Sequence, residues 1–204
     1  MNTQLLDQAK NVRQGEELDT QKVDAWLKQH ITQLTGEPSV TQYAGGASNW
    51  TYCLEYPEQS LILRRAPKGT KAKGAHDMGR EFKLQQALKP VYGYVPNMEA
   101  FCDDENILGT DFYVMEKLTG IIPRKNLPRG LTPTPERTKK LCENVLDCLV
   151  ELHKVDYKQA NLSHLGKGEG YTQRQISGWS ERFTKAKTWN VPSGKKVIKW
   201  LENN

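Results

Sequence analysis

The residues with the most chemistry to offer lie in one short stretch, where a small-residue loop is followed two strands later by a cation. The loop is Gly45-Gly46-Ala47-Ser48-Asn49, and its glycines would let the backbone approach an anion with its N–H groups turned inward. Arg64 would supply the cation. This arrangement is one way to grip nucleotide phosphates. The alternative is an ordinary β-turn followed by an ordinary hairpin.

The elements that must position these groups are two runs rich in β-forming residues. Trp50–Glu55 and Ser60–Arg65 predict a hairpin. On its second strand Ile62 and Arg64 share one face, while Arg65 points to the other. If the first face meets a nucleotide, Ile62 would lie under the base and Arg64 would reach the phosphates. Arg65 would then be the outer arginine.

A carboxylate that could pair with Arg64 follows in the next predicted helix. The sequence predicts a helix over residues 77–89, stopped by Pro90, with Glu81 near its start. Glu81 would pair with Arg64 and hold the guanidinium at the phosphates, because an arginine–carboxylate fork fixes its geometry well. The alternative is an exposed first-turn acid that the helix dipole favours.

The remaining patterns predict a sheet-rich first half and a helical second half. Further strands are expected at 39–43, 97–102 and 111–116. Asp19 begins an amphipathic helix whose apolar stripe includes His30, which would therefore be packed. The chain then divides into a loosely ordered lead-in, a sheet-rich lobe, a connector and a helical part, at residues 1–18, 19–116, 117–133 and 134–204.

Composition narrows the classes of partner. The 204 residues carry a net charge of +5, which favours anionic ligands mildly. Basic and acidic residues alternate along the chain, so we expect no nucleic-acid partner. The sequence has no apolar run long enough for a membrane span, and four scattered cysteines fit the reducing cytoplasm. The acids at 103–105 crowd a tight turn without calcium-loop spacing, so no metal site is predicted.

Several stretches together carry a resemblance to a known family. They are Gly-Gly-Ala-Ser-Asn-Trp-Thr-Tyr at 45–52, Leu-Ile-Leu-Arg-Arg-Ala-Pro at 61–67, Arg-Glu-Phe at 80–82, Phe-Tyr-Val-Met-Glu-Lys-Leu-Thr-Gly at 112–120, Leu-His-Lys-Val-Asp at 152–156 and Gly-Tyr-Thr-Gln-Arg-Gln at 170–175. Their order and spacing resemble the aminoglycoside phosphotransferase and choline kinase superfamily. The chain looks close to the kinase-like domains related to those fused to some acyl-CoA dehydrogenases.

The resemblance implies a fold and a set of binding residues. The fold would be α+β and protein-kinase-like, with a five-stranded antiparallel small lobe, its helix, and the first helices of a helical large lobe. Arg64 takes the place of the phosphate-binding lysine, a departure that changes the fit because guanidinium is wider and forked. The other implied nucleotide-binding positions are Gly45, Gly46, Ser48, Asn49, Ile62, Glu81, Met115 as gatekeeper, the Glu116 carbonyl and the Leu118 N–H.

The resemblance also implies ATP and magnesium as cofactors, and transfer of phosphate to a hydroxyl of a small metabolite such as a hydroxyacyl-CoA. Catalysis in the family needs a His-Gly/Asn-Asp-x-x-x-x-Asn loop and a later metal-binding Asp. The sequence contains no such loop: His76 precedes Asp77 without the later Asn, and His153 lies within a predicted helix. We therefore expect a chain cut short before its catalytic loop, which binds nucleotide weakly and has no catalytic residues. The alternative is a pseudokinase or nucleotide-binding module that acts through a partner chain.

Overall fold

The structure is a computed structural model that describes residues 5–44, 49–67, 76–123, 127 and 130–204. Contacts divide the chain into two compact units, Met1–Ala160 and Asn161–Asn204. The first unit holds a five-stranded sheet in the order β1-β2-β3-β5-β4, and every pair of neighbouring strands is antiparallel. The predicted five-stranded antiparallel sheet is therefore confirmed.

The elements of the first unit fall close to their predicted positions. The strands are β1 (Ser39–Gln42), β2 (Trp50–Glu55), β3 (Ser60–Arg65), β4 (Met98–Cys102) and β5 (Phe112–Glu116). The helices are α1 (Thr20–His30), α2 (Met78–Leu88), the single turn α3 (Glu105–Leu108) and α4 (Pro135–Lys154). The second unit contains a short 3₁₀ turn (Ser163–Leu165), α5 (Tyr171–Ala186) and α6 (Lys195–Asn203).

The register of the central strands gives the sheet two chemically different faces. Leu61 and Leu63 of β3 lie on the face that packs against Val23 and Leu27 of α1, and all four side chains are buried. This is the main core. On the opposite face, Arg64 lies beside Tyr113 of β5. The alternation of side chains along a strand separates the two sets.

Helix α1 shows one departure from the predicted packing. Asp19 caps it by accepting a hydrogen bond from the Lys22 N–H at 3.2 Å. His30 is exposed rather than packed into the core, contrary to prediction. Its ring stacks on Trp26 one turn earlier, with centroids 3.9 Å apart, and its Nδ1 lies 2.8 Å from the Trp26 carbonyl oxygen. These contacts within the last turn hold the ring outside the core.

Helix α2 packs on the face of the sheet that carries Arg64. Asp77 caps it by accepting from the Arg80 N–H at 2.8 Å. Met78 and Phe82 form a small second cluster with Tyr113, and all three are buried. Because Phe82 is fixed against Tyr113, the preceding residue, Glu81, is held beside the same part of the sheet.

The segment before α1 is more firmly attached than the predicted loose lead-in. Lys10 forms an antiparallel bridge with Gln42 at the end of β1. The Gln42 side chain is buried, so its amide needs partners. It accepts from the Arg13 N–H at 3.0 Å and donates to Glu16 Oε2 at 2.6 Å. The Tyr52 hydroxyl also donates to the Glu16 carbonyl oxygen at 2.6 Å.

The helices beyond residue 134 begin at recognisable signals. Thr134 caps α4, with Pro135 at the first position, and no residue of this helix is buried. In the second unit, Gly194 precedes α6 with a φ of 66° and lies against the Phe183 ring of α5. No helix in the described part of the chain is both long and apolar enough to cross a bilayer.

Candidate functional site

A cavity of about 620 Å³ lies against the face of the sheet that carries Ile62. This volume falls within the usual range for small-molecule sites, roughly 300–1,000 Å³. Its lining includes four residues that the sequence singled out for a nucleotide: Ile62, Met115, Glu116 and Leu118. Ile62 and Met115 are register partners on adjacent strands, which explains why they meet in the cavity. Their role in binding stays a prediction.

Beyond Ile62 along β3, Arg64 pairs with Glu81 of α2. Arg64 Nε lies 3.3 Å from Glu81 Oε2, which is ion-pair distance. The same Nε is buried, yet it makes no hydrogen bond among the described residues. The contact is therefore an ion pair in which the Nε–H bond does not point at the carboxylate oxygen. Both side chains are about one-third exposed, so the pair adds only about 0–1 kcal/mol to stability, and its main effect is to position the guanidinium.

Two further groups hold the Glu81 carboxylate. The Asn49 side-chain amide donates to Oε1 at 3.1 Å, and the Tyr113 hydroxyl donates to Oε2 at 3.0 Å. Burial raises the pKa of Tyr113 to about 12, and the Glu81 carboxylate contributes in the same direction. The hydroxyl therefore keeps its proton at neutral pH and remains a donor. With both oxygens engaged, Glu81 is fixed more firmly than a lone ion pair would fix it.

Asn49 is itself oriented by a histidine. Its side-chain oxygen lies 2.7 Å from His76 Nδ1, and Asn49 is only 4% exposed. An amide oxygen can only accept, so His76 Nδ1 carries the proton in this contact. The amide nitrogen is thereby directed at Glu81. Asn49 thus links His76, the residue before the Asp77 cap, to the Glu81 carboxylate on the first turn of α2.

The remaining sequence-predicted loop residues cannot be placed with these groups. Gly45, Gly46 and Ser48 lie outside the described residues. Asn49 is the first described residue after them, and it is buried against α2 rather than exposed in a turn. The phosphate-binding role of the loop stays a prediction.

Arg65 lies on the opposite face, as the alternation predicted, but it is not at the surface. Only 2% of it is exposed, which makes it one of the largest fully buried side chains in the described chain. Its Nε donates to the Ala66 carbonyl oxygen at 3.3 Å, and its guanidinium carbon lies 5.5 Å from the centre of the Trp50 ring. Burial lowers its pKa. Arg65 is therefore a core residue of the α1 side.

Sequence reasoning missed three parts of the site. Tyr113 was not singled out, although its position two residues before Met115 places it on the same face of β5. His76 was considered only as a fragment of a catalytic loop. Residues 6–9, which also line the cavity, lie in a segment with no periodic pattern to reveal them.

The chemistry of the remaining side chains is limited. Among the described residues, no three His, Cys, Asp or Glu side chains come together in a group that could hold a metal ion. All four cysteines are free thiols. Burial raises the pKa of the Cys53 thiol in the cavity wall, so that thiol is a poor nucleophile at neutral pH.

The sequence is similar to parts of longer known proteins. Acyl-CoA dehydrogenase family member 11 of Homo sapiens is 34% identical over 190 residues, covering 91% of this chain and 24% of its own length. Acyl-CoA dehydrogenase family member 10 of Mus musculus is 34% identical over 170 residues, covering 83% of this chain and 16% of its own length. The chain thus spans a quarter or less of these relatives.

A solved structure extends the likeness to the fold. A protein of Ralstonia eutropha, provisionally assigned as an aminoglycoside phosphotransferase, superposes with a TM-score of 0.71 at 30% identity, over 92% of this chain and 54% of that one. This confirms the predicted kinase-like fold. The sequence profile of the Phosphotransferase enzyme family matches residues 39–204. This match and the 34% identity to the human relative lead to one conclusion: the chain belongs to the phosphotransferase enzyme family.

Proposed function

We propose that this chain is the nucleotide-binding part of an ATP-dependent phosphotransferase that acts on a hydroxyl group of a small metabolite. The observation that carries the proposal is the Arg64–Glu81 pair, 3.3 Å apart, beside a cavity lined by Ile62 and Met115. Apolar side chains suit a purine base, and a fixed guanidinium suits phosphate oxygens. These two requirements of a nucleotide are met on one face of one sheet.

The details of Arg64 fit an anionic ligand. Its Nε is buried and lies 3.3 Å from Glu81 Oε2 in an ion-pair contact. Glu81 holds this end of the guanidinium, which leaves the terminal nitrogens to contact phosphate. A forked cation can bind the carboxylate and a phosphate together. Lysine could not hold both in the same planar way.

The other end of the cavity suits the nucleoside. The β5 residue Glu116 and, two residues on, Leu118 line the cavity, and the Leu118 side chain is 57% exposed at this point. Backbone carbonyl and N–H groups here would read the edge of adenine. Glu55 and Glu116 also line this end, and they pair with Lys117 and Lys89 at 3.4 and 4.0 Å, so the charges here are balanced.

Magnesium, when bound with ATP, would neutralise the charge that develops on the phosphates. We assign no ligands to it among the described residues. The sequence contains no His-x-Asp-x-x-x-x-Asn loop, and such a loop supplies the base that accepts the hydroxyl proton. We therefore propose that the 204-residue chain binds ATP but does not transfer phosphate.

For the acceptor, we propose an alcohol on a small metabolite, and we favour a hydroxyacyl-CoA over an antibiotic. The support is the similarity to acyl-CoA dehydrogenase family members 10 and 11, whose names indicate acyl-CoA chemistry in those proteins. The likeness to the Ralstonia protein would instead support an aminoglycoside. Binding of a 3-hydroxyacyl-CoA and of kanamycin to the ATP-loaded chain distinguishes the two.

The second candidate is a pseudokinase or nucleotide-binding module that acts through a partner chain. Helix α4 favours it, because none of its residues is buried although Leu141, Val145 and Leu149 lie along one side. A partner chain would cover such a stripe.

The experiment is calorimetric titration of the chain with ATP, together with an assay of ADP release. We expect measurable binding and ADP release at the background rate. Absence of binding would refute the nucleotide proposal, whereas robust phosphate transfer would refute the claim that this chain is catalytically incomplete.

A further inference from the structure

Residues 6–9, which precede every helix and strand of the described fold, form part of the cavity wall. Leu6, Asp7, Gln8 and Ala9 all line the cavity, together with Thr41 of β1. Leu6, Asp7 and Ala9 are partly buried. Residues 6–9 are hereafter called the wall. They are distant in the chain from the cavity-lining positions that the resemblance implies for a nucleotide, which are Ile62, Met115, Glu116 and Leu118.

The wall is fixed to the sheet by the residue that follows it. The Lys10 N–H donates to the Gln42 carbonyl oxygen at 2.8 Å, and the Gln42 N–H donates back to the Lys10 carbonyl oxygen at 2.7 Å. The buried Gln42 side chain adds bonds to Arg13 and Glu16. The backbone on the C-terminal side of the wall is therefore held at an edge strand, which limits how far residues 6–9 can move from the cavity.

The segment bounds the cavity without filling it. With residues 6–9 in place, a volume of about 620 Å³ remains, which is enough for a small-molecule ligand. A ligand would therefore bind against these residues and would not have to displace them. This distinguishes a wall, whose loss weakens binding, from a plug, whose loss would strengthen it.

The wall lines the same cavity as the side chains that we propose contact the nucleoside. It shares the cavity with Ile62 and Met115. Arg64 lies two residues beyond Ile62 on β3, about 6.6 Å further along a strand that rises roughly 3.3 Å per residue. Arg64 itself is not among the cavity-lining residues, so the contacts that residues 6–9 offer are to the part of a ligand that Ile62 and Met115 also contact.

We propose that residues 6–9 contribute directly to nucleotide affinity by packing against the nucleoside. The proposal rests on the proposed nucleotide-binding function and assigns it residues outside the matched family region, which begins at residue 39. Apolar contact from Leu6 and Ala9 supplies the affinity, because a ligand that covers them removes their surface from water.

The first test compares two ligands across three proteins. The full chain, a chain that begins at Lys10 and the variant Arg64→Ala are titrated calorimetrically with ATP and with adenosine. Loss of residues 6–9 should lower the affinity for ATP and for adenosine by a similar factor, about five- to tenfold, since both ligands contain the nucleoside. Arg64→Ala should weaken ATP alone. Circular dichroism confirms that each protein is folded.

The second test keeps the chain at full length. In Ala9→Trp, a large side chain at the cavity wall should reduce ATP and adenosine affinity at least tenfold. Lys10→Trp is the matched control, because Lys10 is exposed and is not among the cavity-lining residues, and its affinities should remain within twofold of those of the full chain.

The outcomes separate the two proposals. If the full chain binds ATP and adenosine, and the affinities are unchanged in the shortened chain and in Ala9→Trp, the proposal for residues 6–9 is refuted while nucleotide binding stands. Tighter binding by the shortened chain would identify residues 6–9 as a plug and also refute the proposal. If the full chain binds neither ligand, both proposals fall.

Discussion

Arg64 and Tyr113 are register partners on adjacent strands, and both reach the same oxygen atom, Oε2 of Glu81. The arginine approaches to 3.3 Å and the tyrosine hydroxyl to 3.0 Å. A cation in ion-pair contact and a neutral hydrogen-bond donor thus meet at one carboxylate oxygen. The neutral donor keeps the carboxylate in place, so the position of Arg64 does not depend on the ion pair alone.

Two substitutions of Arg64 should separate the contribution of its charge to ATP affinity from that of its planar guanidinium. We expect Arg64→Ala to weaken ATP binding by at least tenfold, because the cation at the phosphates is lost. Arg64→Lys should recover part of the affinity, since lysine supplies the charge without the planar fork. Calorimetric titration measures both. Lys83→Ala removes an exposed cation from α2 as the control, and an equal loss of affinity there would show a nonspecific charge effect.

Tyr113→Phe should disturb the site without removing any charge. The variant loses the hydroxyl that donates to Glu81, which should cost about 1 kcal/mol of stability and weaken ATP binding about threefold. Urea unfolding and ATP titration measure the two effects. Tyr94→Phe, at a residue 62% exposed, should change neither. In the Arg64→Ala background, Tyr113→Phe should have no further effect on ATP affinity; an undiminished effect would contradict the positioning role.

Alkaline pH should destabilise the fold through its buried tyrosines. Burial raises the pKa of Tyr52 and of Tyr113 to about 12, whereas an unfolded tyrosine titrates near 10. The folded state therefore holds these protons more tightly, and its stability is full below pH 10 and falls as the pH rises towards 12. Each group contributes up to about 1.4 kcal/mol per pH unit in this window.

Urea unfolding between pH 8 and pH 11 tests this dependence. Tyr52→Phe should show a shallower decline above pH 10 than the unaltered chain. Tyr157→Phe, at a residue 55% exposed, should leave the decline unchanged. Equal slopes in all three proteins would exclude Tyr52 as a source of the effect.

Two glycines of the second unit should respond to alanine in opposite directions. Gly194 has a φ of 66°, and an added Cβ would lie 2.9 Å from Phe183 Cε1, so Gly194→Ala should destabilise the unit by more than about 1 kcal/mol. Gly178 lies inside α5, and an added Cβ would meet no atom within 4 Å apart from the neighbouring backbone of its own helix, so Gly178→Ala should stabilise the unit by about 0.5–1 kcal/mol. Thermal unfolding compares them, and a shift of the same sign would contradict this account.

The sheet could be predicted from the sequence because its strands carry strong local signals. Trp50–Glu55 and Ser60–Arg65 are bounded by turn residues, and their observed limits equal the predicted ones. Asp19, Asp77 and Thr134 each cap a helix as a side-chain acceptor. Such signals involve residues a few positions apart, and so they can be recognised without tertiary information.

The parts that were missed depend on contacts between distant segments. Gln42 is buried because residues 13 and 16 supply its hydrogen bonds, and nothing in β1 alone indicates this. Arg65 is buried beside Trp50, although a charged strand end usually faces water. The hydroxyl of Tyr113 acquires its function from Glu81, which lies 32 positions earlier.

Asn49 ties the beginning of β2 to α2 through Glu81 and to His76, the residue just before the Asp77 cap. A displacement of α2 relative to the sheet must either break these bonds or drag Asn49 with it. Helix α2 and the start of β2 are thus coupled through one buried amide, and a tilt of the helix would move the Glu81 carboxylate and Asn49 together.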